Sequence, residues 1–254
     1  MSDYSPAIAQ LAAADHLFVV SDFDGTLADF STDIYDVPVI EDSITALEQL
    51  SGLPRTTVAV LSGRHLEGLR QVCPLGDKVI LGGSHGAESN DASADVSAEQ
   101  EAHLKYIDGE LDKICQRFPG ASVERKPLHR VLHFLEMQHR DPEFVADAIA
   151  AAEDIDTRGF PRTRGKGVVE FAASDATKGS WIREQRARIG ATAVVFLGDD
   201  VTDETGFAAL DEPLDISVKV GEGTTAARLR LADTEQVAQF LGQLARAREA
   251  ATNA

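Results

Sequence analysis

The sequence predicts an α/β fold: a Rossmann-like parallel sheet with helices on both faces, plus an inserted α+β domain. Three observations predict it. Five continuous apolar runs, Leu17–Ser21, Thr57–Leu61, Lys78–Leu81, Ala193–Leu197 and Ile216–Val220, have the character of strands buried on both faces. Helical patterns fill the intervals near 41–51, 64–72, 178–189, 203–210, 224–231 and 234–249. Between about 88 and 170 this rhythm breaks.

Along the chain, the first run ends in Asp22-Phe23-Asp24-Gly25-Thr26, the second in Ser62-Gly63-Arg64 and the third in Gly82-Gly83-Ser84-His85-Gly86. Glu88 to Glu101 holds five acids and no base, which reads as a solvated loop running into a helix near 99–117. Strand-like segments follow around 122–136 and 164–172, with a helix near 142–153 between them. Strand, helix and strand with one extra long helix describe a small α+β domain set into a larger one. The expected division is therefore 1–87 with 171–254 for the core and 88–170 for the insert. The core resumes with a helix opened by Lys178, then the run ending in Gly198-Asp199-Asp200 and the run ending in Gly221. In open α/β sheets ligands sit beyond the carboxyl ends of the strands, which is where these polar residues collect.

Composition sets the outer limits. With 24 Lys+Arg against 42 Asp+Glu the formal net charge is −18, which repels phosphate backbones and argues against nucleic-acid partners. An apolar content of 43% supports a real core. No run approaches the roughly 20 apolar residues of a membrane span, and no cationic-then-apolar leader opens the chain. Cys73 and Cys115 stand alone, so neither a disulfide scaffold nor a zinc site is expected, and a cytoplasmic, reducing setting is. The excess charge is uneven: residues 124–166 hold eight bases and eight acids, and Arg158, Arg162, Arg164 and Lys166 fall close together without an acid. That insert suits a small anion, or is a solvated basic loop.

Alternation points Asp22 and Asp24 to the same side, and Gly25 lets the chain turn. Two carboxylates at a strand end repel unless a cation or proton intervenes, and Mg2+ prefers such hard oxygen ligands. The plainer reading is an Asp turn or cap. In Gly198-Asp199-Asp200-Val201-Thr202-Asp203-Glu204, a helix N-terminus accounts for Asp203 and Glu204 but poorly for Asp199, which precedes the helix. Ser62-Gly63-Arg64 offers a hydroxyl and N–H groups where anions bind, or is simply a turn. Lys178 opens a helix, the wrong end for a dipole-stabilised cation, so it invites an anionic partner; an exposed lysine is the alternative.

Taken jointly, the order acid pair, hydroxyl, lysine and acid cluster resembles the haloacid dehalogenase-like phosphatases, whose motifs read DxDGT, Ser/Thr, Lys and GDDxxD. Ser84-His85-Gly86-Ala87-Glu88, Val123-Glu124-Arg125-Lys126, Gly165-Lys166-Gly167-Val168-Val169-Glu170, the Gly198–Glu204 segment and Val218-Lys219-Val220-Gly221 are similar to the trehalose-6-phosphate phosphatase family. One segment departs: that family usually has His-Tyr-Arg where this chain has His133-Phe134-Leu135, and Arg130 and Arg140 are the arginines that could stand in.

The resemblance implies Mg2+-dependent hydrolysis of a sugar phosphate, trehalose 6-phosphate, through an aspartyl-phosphate. It implies Asp22 as nucleophile and Asp24 as general acid and base, with Ser62 and Lys178 on the phosphoryl oxygens. It further implies that Asp22, the Asp24 carbonyl oxygen and Asp199 hold the metal, supported by Asp200 and Asp203. The insert becomes a cap, with Glu124, Lys126, Lys166 and Glu170 expected on sugar hydroxyls, and Gly63 and Arg64 complete the substrate-binding set. A small-molecule sugar phosphate is the expected partner, with no nucleic acid, no membrane and a monomer favoured. The missing Arg keeps open a phosphatase for another sugar phosphate, of sucrose-6-phosphate or mannosyl-3-phosphoglycerate type. A non-catalytic sugar-phosphate sensor is the other alternative, against which retention of both Asp22 and Asp24 argues.

Overall fold

Every residue of β1 (Leu17–Ser21) is buried, as its unbroken apolar run requires, because helices cover both faces of the sheet it centres. The structure, a computed structural model, describes residues 4–31, 33, 35–91, 96–137, 142–165, 167–210 and 212–253. Two compact units make up the chain: Met1–Ser93 with Ala176–Ala254, and Ala94–Asp175.

In the first unit, β2 (Thr56–Leu61), β3 (Ile80–Gly83) and the short β4 (Glu88–Ser89) lie to one side of β1. The other side holds β9 (Ala193–Gly198), β10 (Ile216–Val220) and β11 (Leu229–Leu231), in the order β11-β10-β9-β1-β2-β3-β4. All pairs are parallel except β3 with β4. The chain thus leaves β1 in one direction and later returns to its other flank at β9, so a crevice forms beyond the carboxyl ends of these two strands. Register aligns those ends, with Ser21 opposite both Val60 and Leu197.

Side-chain alternation divides the packing. Leu17 and Val19 join the core built by α1 (Ser5–Ala12), α2 (Glu41–Ser51), α3 (Leu66–Val72) and α8 (Thr234–Thr252). Phe18 and Val20 face the opposite core, which contains Trp181 and Ile182 of α6 (Lys178–Ile189) and Phe207 of α7 (Glu204–Phe207). Helix α6 begins where Thr177 and Ser180 form a capping box, and it stops at Gly190, whose φ is +68°.

The second unit has the antiparallel order β5-β6-β8-β7, from β5 (Ser122–Arg125), β6 (His129–His133), β7 (Arg162–Gly165) and β8 (Val168–Ala172). Helices α4 (Ala98–Arg117) and α5 (Pro142–Glu153) close one of its faces over Leu132, Phe134, Val169 and Phe171. Phe134, the middle residue of the departing triplet, is part of this apolar core.

Three expectations need correction. The helix expected over 224–231 does not form: residues 224–228 are irregular, and Leu229–Leu231 makes the edge strand β11, where Leu231 is buried beside β10. The interval 203–210 yields only a short 3-10 turn, Val201–Asp203, running into α7. The division between units falls at 93/94 and 175/176 rather than 87/88 and 170/171. Strand β4 pairs with β3, and Asn90 ties back to Leu81 N–H at 2.8 Å, which keeps that segment with the core. Strand β8 is interior to the second sheet, which keeps its residues with the insert.

Candidate active site

Asp22 leaves β1 with its N–H donated to Leu197 O at 2.8 Å, so the register of β1 against β9 sets its place. The chain then turns at Gly25, whose φ is +78°; a Cβ there would overlap the Asp199 carboxylate and stand 2.8 Å from Phe30 Cζ. Only glycine serves such a turn at such close quarters.

Lys178, 2% exposed on its side chain, lies between two acids, with Nζ 2.7 Å from Asp22 Oδ1 and 2.6 Å from Asp203 Oδ1. Its position at the start of α6 opposes the helix dipole, and the two carboxylates compensate. Burial alone would lower its ammonium pKa, but Asp22 and Asp203 outweigh this and hold it above the ordinary lysine range. Asp22 is 5% exposed, and burial pushes its carboxyl well above the usual carboxylate range despite Lys178. Asp199 is pushed up to about 6 by burial, then by Asp203 and Asp200.

Carboxylate oxygens of Asp22, Asp199 and Asp203 all lie within 4.8 Å of one another. Three hard oxygen donors, two of them raised by burial and mutual repulsion, fit a small divalent cation that would favour the ionised forms. Asp203, expected as support, stands within this group, fully buried, and its Oδ2 accepts from Asp200 N–H at 2.9 Å. Asp200 itself is exposed and caps the following turn by accepting from Val201 N–H at 2.6 Å.

Ser62 is buried at the end of β2, and its hydroxyl accepts from Arg64 N–H at 3.1 Å. Gly63 passes under the His85 ring, where a Cβ would come 2.6 Å from Cε1. Two of the Arg64 side-chain donors go to Asp24.

Three residues by the site, Lys219, Ser84 and His85, had no role assigned from the sequence. Lys219, buried in β10, donates from Nζ to the Asp199 and Val220 carbonyl oxygens, so it pins the backbone that carries Asp199 to the neighbouring strand. A lysine inside an otherwise apolar strand was the available signal. Ser84 and His85, at φ 48° and 57°, form a strained turn whose N–H groups donate to Arg64 O at 2.7 Å and Ser62 O at 2.9 Å. No pattern in the sequence signals that strain.

In the second unit, the sheet face opposite α4 and α5 carries the expected Glu124, Lys126 and Glu170, joined by His129 and His133. His133 Nε2 is 3.1 Å from Glu124 Oε2, and Lys126 Nζ is 3.9 Å from Glu124 Oε1. His129 Nδ1 is 2.6 Å from Glu170 Oε1. Arg130 points to the helix side, where Nε donates to Asp108 at 2.8 Å. Lys166 and Arg140 lie outside the described residues.

Comparison with known proteins identifies the family. The Trehalose-phosphatase family profile matches residues 20–235. The trehalose-6-phosphate phosphatase of Escherichia coli (strain K12) is 31% identical over 229 residues, covering 87% of this chain and 83% of that one. The trehalose-phosphate phosphatase of Mycobacterium tuberculosis (strain ATCC 25618 / H37Rv) is 32% identical over 267 residues, covering 97% and 67% respectively. Aspergillus fumigatus trehalose-6-phosphate phosphatase, crystal form 3, superimposes with a TM-score of 0.73 at 23% identity, over 96% of this chain and 98% of that one, and so shares the fold. The chain belongs to the trehalose-phosphatase family.

Proposed function

We propose that the protein hydrolyses trehalose 6-phosphate to trehalose and phosphate through an aspartyl-phosphate on Asp22, with Mg2+ as cofactor. The observation that carries this reading is the buried set Asp22, Lys178 and Asp203 with the half-buried Asp199 at the sheet crevice, and Asp24 two residues after Asp22.

An Asp22 carboxylate oxygen forms a bond to phosphorus as the bond to the sugar oxygen breaks, and Asp24 gives its proton to that oxygen. Asp24, now ionised, takes a proton from the water that attacks the phosphoryl group, which releases phosphate and restores Asp22. Lys178 favours the ionised form of Asp22, and it and Ser62 receive the phosphoryl oxygens together with the N–H groups of the Gly63 loop. Asp22, Asp199 and the Asp24 carbonyl oxygen would hold Mg2+, with Asp203 and Asp200 alongside, and the bound ion supplies charge stabilisation for the transferred group. Glu124, Lys126 and Glu170, with Lys166, bind hydroxyls of the disaccharide. Cys73 and Cys115 are both free, in keeping with a cytoplasmic setting.

Phosphate release from trehalose 6-phosphate, sucrose 6-phosphate and mannosyl-3-phosphoglycerate, each with Mg2+ and with EDTA, tests the proposal. The expected result is release favouring trehalose 6-phosphate, abolished by EDTA and restored by Mg2+. Preference for another ester would overturn the substrate, and full activity in verified metal-free enzyme would overturn the cofactor.

A further inference from the structure

Two large apolar side chains left open to solvent border the carboxylate cluster: Phe30 is 74% exposed and Val201 77% exposed. Phe30 follows a stem held at several points. Gly25 N–H donates to Ala28 O at 2.7 Å, Asp29 N–H to Pro38 O at 3.0 Å and Ile40 N–H to Leu27 O at 2.9 Å. The Asp29 carboxylate also accepts the Thr234 hydroxyl at 2.8 Å. The ring is therefore presented from an anchored backbone rather than from a loose tip.

Its location separates it from an ordinary exposed apolar side chain, which needs no explanation. Phe30 Cζ lies 2.8 Å from the place a Gly25 Cβ would take, a place the Asp199 carboxylate also crowds. Aromatic ring and candidate metal ligand thus meet over the one glycine that follows Asp24. Val201 sits on the loop after β9, immediately beyond Asp199 and Asp200.

We propose that Phe30 is a specificity-determining residue whose ring, with Val201, receives the C–H face of the sugar ring that bears the phosphate. The inference rests on the phosphatase reading above and adds a group that recognises the leaving alcohol. A pyranose presents an apolar face of ring hydrogens, and binding sites orient such ligands by pairing aromatic surface with a few polar contacts. An acyclic alcohol offers no such face, so Phe30 discriminates between cyclic and acyclic esters while the charged residues treat their phosphates alike.

The test compares wild type, Phe30→Ala and Phe30→Trp at saturating Mg2+ on trehalose 6-phosphate, glucose 6-phosphate and glycerol 1-phosphate. For Phe30→Ala, the ratio of kcat/KM for either sugar ester to that for glycerol 1-phosphate is expected to fall about tenfold, chiefly through KM. Phe30→Trp is expected to keep the ratio near the wild-type value. Thermal melting of each variant shows whether it folds. An unchanged ratio in Phe30→Ala, or an equal loss on all three esters, overturns the inference while leaving the phosphatase reading intact. Wild-type enzyme that releases phosphate from neither sugar ester overturns that reading itself, before any variant is compared.

Discussion

Arg64 grips Asp24 with a two-point fork, Nε donating to Oδ2 at 2.7 Å and Nη2 to Oδ1 at 2.6 Å. The guanidinium also lies 5.8 Å from the Phe23 ring centroid, so it is steadied from the strand side. A planar fork fixes both torsions of an aspartate, which a single ammonium does not. The fork orients Asp24 while it occupies both oxygens, and one oxygen must leave Arg64 to carry the proton given to the leaving group. Arg64→Lys is therefore expected to lower kcat about tenfold and Arg64→Ala about a hundredfold, with circular dichroism unchanged. Equal kcat in all three proteins would free Asp24 from dependence on Arg64.

Lys178 supplies the positive charge between Asp22 and Asp203, both buried. Removing one partner of a buried ion pair leaves an uncompensated charge and costs about 3–5 kcal/mol. Lys178→Met is expected to abolish turnover and to lower thermal stability at neutral pH. Because the orphaned carboxyls can take up protons, the stability loss should shrink in acid. Urea unfolding at several pH values measures this, and a loss independent of pH would show that packing rather than charge is at stake.

The Asp199 carboxyl, pushed up to about 6 by burial and its acidic neighbours, gives the metal-free protein a definite pH dependence. A group raised in the folded state stabilises below its unfolded value, and that contribution is lost as pH rises through the folded value. Stability from Asp199 is thus lost between about 4 and about 6. Mg2+ binds the ionised carboxylate, so its stabilising effect grows across the same window. Saturating MgCl2 is expected to raise the melting temperature more at about pH 7.5 than at about pH 5. A larger rise at the lower pH would contradict the assignment of Asp199 to the metal.

Much of this site was legible because Asp22, Ser62 and Asp199 each end an apolar strand, and a parallel sheet brings such ends to one edge. Lys178 was legible from its unfavourable helix position. The partner of Arg64 was not, since Asp24 lies on another strand end and their meeting depends on the β1–β2 register. The role of Lys219 was not legible either, because a sequence does not tell whether a strand lysine reaches solvent or a neighbouring carbonyl. Strand β11 was misread as helix because Leu229-Arg230-Leu231 is too short to display its alternation. The insert's boundaries shifted for a similar reason: β4 has only two residues, and pairing alone assigns it to the core.

Glu124 joins two neighbours on the open face of the second sheet, His133 at 3.1 Å and Lys126 at 3.9 Å. Helices α4 and α5 pack on the opposite face, so the apolar core does not depend on these side chains. Partly exposed ion pairs contribute about 0–1 kcal/mol, and Glu124→Ala should leave the melting temperature nearly unchanged. A carboxylate that binds sugar hydroxyls equally in ground and transition states affects KM without affecting kcat. Glu124→Ala is therefore expected to raise KM for trehalose 6-phosphate about tenfold at constant kcat, as one lost charged hydrogen bond would. His133 acts through Glu124 by holding its carboxylate, so His133→Ala should raise KM by less, and the double variant by no more than Glu124→Ala alone. Additive effects in the double variant would mean that His133 contacts the substrate itself, and an unmoved KM in Glu124→Ala would leave this face as solvated charge.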